Sequence, residues 1–299
     1  MVSTGFCGKF ACEKFRIMDF TKSDIAEIAA GAQSIGRALA LLRLLGGRPK
    51  DGASLSELVA RSGLAKPTCR RILLALMEAG LVEQEALNRR YFLGPEVYVL
   101  GTIAADRYGI DRHALDCVSR LAQKTGDAAF LQVRRGGFVV CLAREDGTYP
   151  IRSHVLAAGD RHPLGAGAGA LAVLAALDDA DIEATFAANA RLLESEYPTL
   201  SLPLLRILVQ ETRSKGYSLN RGLLFPGSWG MGMAIRGASG HVEACLSLAS
   251  IESRMQPERE PQLAGWLTEE VRLVEQRLTE AAGHRDNRYQ NTAALRQKA

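Results

Sequence analysis

The sequence contains no uninterrupted apolar run of the roughly 18 residues that a membrane-spanning helix requires. Its longest apolar stretch, around 166–177, is short and ends at Asp178 and Asp179. A secretory signal is not expected either, because charged residues interrupt the region where its apolar core would lie: Lys9, Glu13, Lys14, Arg16 and Asp19. The sequence therefore predicts no membrane partner.

The sequence also lacks a Cys-x-x-Cys pair, and its six cysteines are scattered along the chain: Cys7, Cys12, Cys69, Cys117, Cys141 and Cys245. This distribution argues against a disulfide framework. It indicates reduced thiols and predicts a cytoplasmic location.

Net charge is small, since 37 Lys and Arg face 33 Asp and Glu for a formal charge of +4. This balance by itself indicates no class of partner. The hydrophobic fraction of 47% is ordinary for a protein with buried cores and excludes wholesale disorder. The length of 299 residues fits two domains.

Organised patterning begins near Gln33. Residues 1–30 show no sustained helical or strand periodicity and are predicted to form an amino-terminal extension. Met18 precedes a largely polar run, so either Met1 or Met18 could be the start of the native protein.

Helical spacing of apolar residues then predicts three short helices, at 33–45, 55–62 and 66–79. Ser54 and Glu57 have the spacing of a capping box at the start of the second helix, and Pro67 is tolerated in the first turn of the third. Two short strands around a polar turn predict a hairpin, at 81–84 and 89–93. A connecting helix is predicted at 95–110.

The second half of the chain mixes helices and strands. Strands are predicted at 128–134, 138–144, 150–156, 217–224, 229–236 and 242–249. Helices are predicted from about Leu115 to Gly126, at 167–177, at 201–214 and around 263–278, with an acidic loop after 177 and a polar tail over 284–299. This order predicts an α+β domain.

The three amino-terminal helices and the hairpin together predict a winged helix-turn-helix. In the third helix, one predicted buried stripe consists of Cys69, Ile72, Leu73 and Leu76, and the other faces present Pro67, Thr68, Arg70, Arg71 and Leu74. Residues 31–100 contain ten Lys and Arg against six Asp and Glu. Arginines of this kind bind phosphate or guanine edges.

Arg70 and Arg71 alone are equally consistent with a solvated basic face. Lys66 on the same helix and Arg89 and Arg90 on the hairpin favour DNA binding. We expect 66–79 to occupy a major groove, with Arg37, Arg89 and Arg90 on the backbone or in the minor groove. One such module reads a short half-site, so a homodimer on a double-stranded operator is expected.

These segments resemble the IclR-type transcriptional regulators. The resemblance is carried by 33–39 (QSIGRAL), 64–73 (LAKPTCRRIL), 80–82 (GLV), 91–94 (YFLG), 161–164 (RHPL) and 215–217 (KGY), in this order and spacing. It implies a carboxy-terminal sensor domain with a central, GAF-like antiparallel sheet. It also implies a small organic effector, often an aromatic or organic acid, and a homodimer or a dimer of dimers (homotetramer). On this basis five segments are predicted: an extension (1–30), the winged helix-turn-helix domain (31–94), a linker helix (95–110), an effector-binding domain (111–283) and a flexible tail (284–299).

The predicted effector site begins with Gly165, Ala166 and Gly167. Backbone N–H groups in this run could receive a carboxylate at a helix amino terminus. The same small residues could instead serve close packing of a helix on a sheet, and both can hold. Gly165 and Gly167 depart from the polar residues that the family often has there.

Six further residues could line the same pocket: Asn220, Trp229, Met231, Met233, Cys245 and Ser247. Trp229 could equally be a core residue, and Ser247 a satisfied strand hydroxyl. Many family members carry an acidic residue shortly after the position of Asn220, whereas Arg221 and Gly222 stand here.

No catalytic or metal-binding constellation is predicted, and no cofactor. The spacing of Cys141, His154 and His162 matches no standard metal pattern, and no P-loop, dinucleotide fingerprint or Gly-x-Ser-x-Gly elbow occurs. The sequence thus predicts a ligand-responsive transcriptional regulator rather than an enzyme. The alternative is a metabolic enzyme or non-DNA small-molecule sensor that uses the winged helix for protein contacts.

Overall fold

The computed structural model describes residues 33–47, 51–151 and 156–296. They divide into two units, the first ending at Gly109 and the second beginning at Ile110. The predicted extension 1–30, with both candidate start residues, lies outside the described residues.

The first unit contains α1 (Gln33–Gly46), α2 (Leu55–Ser62), α3 (Lys66–Glu78), the antiparallel strands β1 (Val82–Gln84) and β2 (Tyr91–Leu93), and α4 (Pro95–Tyr108). Leu41, Leu45, Leu58, Leu73 and Val82 bring α1, α2, α3 and the hairpin around one apolar core. The predicted helices and the hairpin of this unit are confirmed.

Local signals determine where these helices begin and end. At the start of α2, the Glu57 N–H donates to Ser54 Oγ (3.2 Å) and the Ser54 N–H donates to Glu57 Oε2 (2.7 Å), which is the predicted capping box. Gly63 ends α2 in the left-handed conformation, with φ of 65°. Before α4, a Cβ at Gly94 would stand 2.1 Å from the carbonyl oxygen of Gly80, so only glycine fits at that crossing.

The second unit is built around one antiparallel sheet of six strands. Its elements are α5 (Asp111–Thr125), β3 (Ala128–Arg135), β4 (Phe138–Glu145), β5 (Arg161–Pro163), α6 (Ala168–Ala175), α7 (Asp179–Glu196), α8 (Leu202–Lys215), β6 (Ser218–Arg221), β7 (Ser228–Arg236), β8 (Val242–Ile251) and α9 (Glu260–Arg296). The strand order is β5-β4-β3-β8-β7-β6. This is the predicted α+β fold with a central antiparallel sheet.

The two faces of the sheet are buried by different helices. Alternate residues of β3 and β8, such as Leu131 and Leu246, pack with Leu121 of α5 and Leu267 of α9 in the main core. The residues between them, such as Gln132 and Ser247, point to the other face, because successive strand side chains alternate. That face is covered by α6, every residue of which is buried.

Three predictions about the second half need correction. The acidic segment after 177 is α7 rather than a loop, because Asp178 Oδ1 accepts the Asp181 N–H and the acidic first turn complements the helix dipole. The predicted strand 150–156 is not formed at Pro150, Ile151 or Leu156, its residues 152–155 lie outside the described residues, and the edge strand is β5. Finally, α9 remains helical to Arg296, into the predicted tail.

Candidate nucleic-acid interface and ligand pocket

Helix α3 presents a basic face to solvent. It buries Cys69, Leu73 and Leu76, as its apolar spacing predicts, and leaves the predicted reading residues outside the core. Of these, Lys66, Pro67, Arg70 and Arg71 are exposed, and Thr68 is half-buried. The buried stripe anchors α3, so the opposite face is free for a partner.

The wing turn between β1 and β2 displays Arg89. Arg89 is exposed and has φ of 58°, the one positive φ of a non-glycine residue in the part of the chain that the structure describes. The turn is held by local hydrogen bonds: Gln84 Nε2 donates to the Arg89 carbonyl (2.8 Å), and the Arg90 N–H donates to Asn88 Oδ1 (2.8 Å). The turn therefore supports an outward-facing arginine.

Arg90, which the sequence assigns to the DNA contact, makes hydrogen bonds within the protein. Its guanidinium donates to Glu57 Oε2 at 3.0 Å and also to the carbonyl oxygens of Asp51 and Gly52. Arg90 thus connects the wing to the amino-terminal end of α2 and is engaged within the protein. Arg37, on α1, is half-buried.

A pocket of about 470 Å³, including the space at its open mouth, lies between the amino terminus of α6 and the sheet. Its aromatic and aliphatic lining comprises Phe130, Leu156, Leu224, Phe225, Trp229 and Leu248. Its polar side chains are Gln132, His162, Asn220, Ser228 and Ser247, and small residues complete it: Ala166, Gly167, Ala168, Gly169, Gly230 and Ala249. A mostly apolar concavity with a few polar groups is typical of a small-molecule site.

The structure brings five of the nine predicted effector residues to this pocket: Ala166, Gly167, Asn220, Trp229 and Ser247. The other four are not among the lining residues. Met231 is fully buried in the core under α5 and α9, and Met233 packs against that core. Trp229, although it is among the lining residues, packs against the same core. Gly165 faces α8, where a Cβ would meet Leu205. Cys245 lies on the pocket side of the sheet, but its Sγ contacts Gln132 Oε1 at 3.4 Å.

The small residues of α6 allow the close packing of helix on sheet that was one of the two roles considered for them. A Cβ at Gly169 would stand 1.7 Å from Gln132 Oε1, and a Cβ at Gly232 would stand 2.7 Å from the Ala168 carbonyl oxygen, so the helix packs directly on the sheet. At the same time α6 begins after Gly167 with no side-chain cap, and this end lines the pocket. Uncapped N–H groups at a helix amino terminus favour a bound anion.

Gln132 forms a polar floor for the pocket. Ser247 Oγ and Cys245 Sγ approach its Oε1 at 3.2 Å and 3.4 Å. Gln132 was not predicted to line the pocket. A polar residue between the buried residues Leu131 and Val133 of an apolar strand is unusual, and this signal could have indicated it.

His162 is the second polar residue that the sequence analysis did not assign to the pocket. It lies on β5, opposite Val139, and only 3% of it is exposed. Burial lowers the pKa of His162 to about 4, so the ring is neutral near pH 7. Its Nδ1 is buried without a hydrogen-bond partner in the described part of the chain, and the Tyr197 ring lies 6.2 Å away, centroid to centroid.

The loop between β6 and β7 forms one wall of the pocket through Leu224 and Phe225, which were also not predicted. Asn220 Oδ1 accepts the Leu223 N–H (3.0 Å), and Thr199 Oγ1 donates to the Leu223 carbonyl (2.6 Å). The connection between Gly222 and Gly227 is apolar, which is unusual for a loop between strands. This feature of the sequence could have indicated that the loop lines a pocket.

Arg221 shapes the surface beside Trp229. Its guanidinium lies over the Trp229 ring, 5.8 Å from the centroid, and donates to Glu260 Oε1 at 3.0 Å. Arg221 is thus paired with Glu260 of α9.

Two searches of the described residues were negative. No group of three or more His, Cys, Asp or Glu there has the geometry to hold a metal ion. None of the helices that the structure describes is both long and apolar enough to cross a membrane.

Two family descriptions match the sequence. Residues 34–86 match the IclR helix-turn-helix domain, and residues 102–276 match the domain described as bacterial transcriptional regulator IclR C-terminal. The HTH-type transcriptional regulator KipR of Bacillus subtilis is 28% identical over 255 residues, which cover 84% of this chain and 98% of that protein.

Solved structures agree with these matches. The IclR transcriptional regulator of Alicyclobacillus acidocaldarius is 28% identical, with a TM-score of 0.68 over 81% of this chain and 97% of its own. An IclR homologue from Microbacterium hydrocarbonoxydans, complexed with 4-hydroxybenzoate, is 21% identical and shares the fold, with a TM-score of 0.66 over 82% of this chain and 98% of its own. The descriptions of the matched families and of KipR are those of regulators and not of enzymes.

Proposed function

The chain belongs to the IclR family of bacterial transcriptional regulators, and from that premise we propose that it binds a DNA operator under the control of a small organic effector. The observation that carries this proposal is the exposed basic face of α3 on a winged helix-turn-helix. The site of action would be the cytoplasm, where the chromosome lies.

In this proposal α3 enters the major groove. Arg70 and Arg71 contact base edges or phosphates, while Lys66, Pro67 and Thr68 at the start of the helix approach the backbone. Arg37 and Arg89 contact the backbone or the minor groove. Arg90 supports the wing instead of touching DNA, since its guanidinium is bound to Glu57.

We propose that operator binding requires a homodimer or a dimer of dimers, because one winged helix reads only a short half-site. Helix α4 supports this, since its exposed apolar residues include Tyr98 at 78% and Ile103 at 67% exposure. Such a stripe is typical of a helix that packs on a partner. The proposed division of labour is DNA binding by 31–94, coupling by the linker helix 95–110 and sensing by 111–283.

The effector is proposed to be a small organic acid with an aromatic body, bound in the pocket beside α6. The ring side chains of Phe130 and Phe225 suit an apolar or aromatic body, and the amino terminus of α6 suits a carboxylate. The 4-hydroxybenzoate complex of the Microbacterium homologue supports this class of ligand. Effector binding alters operator affinity through unequal affinity for two arrangements of the protein, typically about 1–3 kcal/mol.

The test is a gel-shift titration of the full chain on DNA from upstream of its own coding sequence, at several salt concentrations. We expect binding whose logarithmic affinity falls steeply and linearly with the logarithm of salt, because phosphate contacts release counterions. An absence of salt-sensitive binding to this DNA and to a library of random duplexes would instead favour a sensor that uses the winged helix for protein contacts.

A further inference from the structure

We propose that Leu87, at the tip of the wing, is an apolar wedge that enters the minor groove of the operator and bends the DNA there. This inference rests on the proposed function, because it adds a contact to the same DNA interface. It goes beyond the arginine contacts of that interface, since an apolar wedge acts on the shape of the duplex and not on its charge.

The first observation is the exposure of Leu87. It is the most exposed large apolar side chain among the residues that the structure describes, with 96% of its surface accessible. A single exposed leucine on a protein surface needs no partner by itself. The turns of hairpins, however, are dominated by glycine, proline and small polar residues. A leucine that stands almost entirely in water at such a tip is best accounted for by a surface that covers it in a complex.

The second observation is that the turn presents Leu87 on a preorganised tip. The Glu85 N–H donates to the Arg90 carbonyl (2.9 Å), and the Arg89 N–H donates to the Glu85 carbonyl (3.0 Å). These two bonds close a loop that has Leu87 at its middle. Asn88 Nδ2 also donates to the Glu85 carboxylate, and the guanidinium of Arg90 ties the base of the wing to α2. A tip that is ordered before binding loses little conformational entropy when it is inserted.

The third observation is the charge around the tip, which favours DNA as the occupant. Arg89 is exposed two positions from Leu87, and it has a left-handed backbone that glycine or asparagine adopts more easily. The wing follows α3 after three residues and shares its apolar core, so the basic face of α3 belongs to the same packed unit. A cationic surface with an apolar tip matches a duplex, whose phosphates border a minor groove about 6 Å wide.

The minor groove gives a leucine side chain a specific role. Proteins that bind there insert leucine, phenylalanine and similar side chains between base steps, which partly unstacks the bases and kinks the duplex by about 20–90° toward the major groove. The energy of this deformation depends on the sequence that is deformed, and pyrimidine–purine steps kink most easily. Leu87 would therefore read how easily the operator bends rather than the edges of its bases.

The experiment compares the full-length protein with Leu87→Ala on duplex DNA from upstream of its own coding sequence, trimmed to the footprinted site. Fluorescence anisotropy at several salt concentrations measures affinity, and energy transfer between dyes at the two ends of the duplex measures the bend. We expect Leu87→Ala to bind about tenfold more weakly and to bend the duplex less, because a buried apolar contact is lost. The salt dependence should stay at the parental value, since an apolar contact releases no counterions.

Three variants serve as controls. Leu87→Met keeps an apolar side chain of similar size and should retain most of the affinity and the bend. Arg89→Ala should weaken binding and make the logarithmic salt slope shallower by about 1, which separates a phosphate contact from an apolar one. Leu142→Ala is the same change as Leu87→Ala at an exposed leucine of β4 in the second unit, and it should behave as the parent protein.

Several results would overturn the inference: parental affinity or a parental bend in Leu87→Ala, weaker binding with a shallower salt slope, or a straight duplex bound to the parent protein. A changed oligomeric state of Leu87→Ala without DNA, measured by light scattering, would also overturn it and would place Leu87 between two copies of the chain. Because Leu87 lies in an exposed loop, its substitution should leave folding intact, which thermal melting verifies. A parent protein that binds no DNA would contradict the proposed function itself, whereas the results above contradict only the role of Leu87.

Discussion

Arg90 Nη2 donates to Glu57 Oε2 across 3.0 Å and 33 positions of sequence, so the wing is attached to the capped end of α2. The same Oε2 accepts the Ser54 N–H of the capping box, and the Ala53 N–H donates to the Tyr91 carbonyl (2.9 Å) beside it. The adjacent arginines of the hairpin therefore have separate roles, with Arg89 outward and Arg90 structural.

Arg90→Ala should lower the free energy of unfolding of the first unit by about 1–2 kcal/mol, because it removes hydrogen bonds to Glu57 and to two backbone carbonyls. Urea denaturation monitored by circular dichroism measures this. The control is Arg89→Ala, which should stay within about 0.5 kcal/mol of the parent protein. Equal effects on stability in the two variants would contradict the separate roles.

Arg71→Ala should weaken operator binding about tenfold, because α3 loses an exposed base or phosphate contact. Fluorescence anisotropy on a labelled operator measures the change, and titration with the effector should be unaffected. Arg135→Ala provides the control, since Arg135 is also an exposed arginine but lies at the end of β3 in the second unit. An Arg71→Ala protein with parental operator affinity would remove α3 from the interface.

Gly169→Ala should destabilise the second unit by about 1–3 kcal/mol and weaken effector binding, because the new Cβ would overlap Gln132 Oε1. Thermal melting and ligand titration measure the two effects. Gly265→Ala, in α9, adds its Cβ in open space and should leave stability equal or higher by up to about 1 kcal/mol, as helix propensity predicts. A neutral Gly169→Ala would mean that α6 does not pack this closely on the sheet.

Stability should depend on pH through His162. Its folded pKa, about 4, lies below the usual value of 6.5, so the unfolded chain binds the proton more readily. The contribution of the neutral ring is therefore fully present above pH 6.5 and is lost as the pH falls toward 4, by about 3 kcal/mol in all. Urea denaturation at pH 7 and pH 4.5 should show a smaller loss of unfolding free energy for His162→Phe than for the parent protein. The control is His241→Phe, the same change at an exposed histidine between β7 and β8, which should lose as much as the parent protein. Identical losses in all three proteins would show that His162 is not buried as a neutral ring.

The winged helix-turn-helix was largely predictable because its signals are local. The capping pair Ser54 and Glu57, the stop at Gly63 and the apolar spacing of α3 act between residues at most four or five positions apart. The acidic residues after 177 are local signals too, but we predicted a loop there and the structure has a helix. Asp178 is ambiguous, because an aspartate can cap a helix or begin a turn.

The effector pocket was only partly predictable. Strand alternation places Trp229 and Ser247 within a buried sheet, but both faces of this sheet are covered by helices and both are apolar. The pattern that separates core from solvent in a half-exposed sheet is then absent. For this reason the sequence could not exclude Met231 and Met233 from the pocket.

The sequence by itself determined the order of elements in the first unit, the basic face of α3 and the family, because short-range hydrogen bonding and apolar periodicity act within single segments. Only the tertiary structure decided that Arg90 pairs with Glu57, that Gly169 lies against Gln132 and that His162 lines the pocket. Each of these relationships joins residues about 30 positions apart or more, or depends on which of two buried faces of the sheet lines the pocket. Sequence periodicity carries no information about such choices, whereas packing in three dimensions settles them.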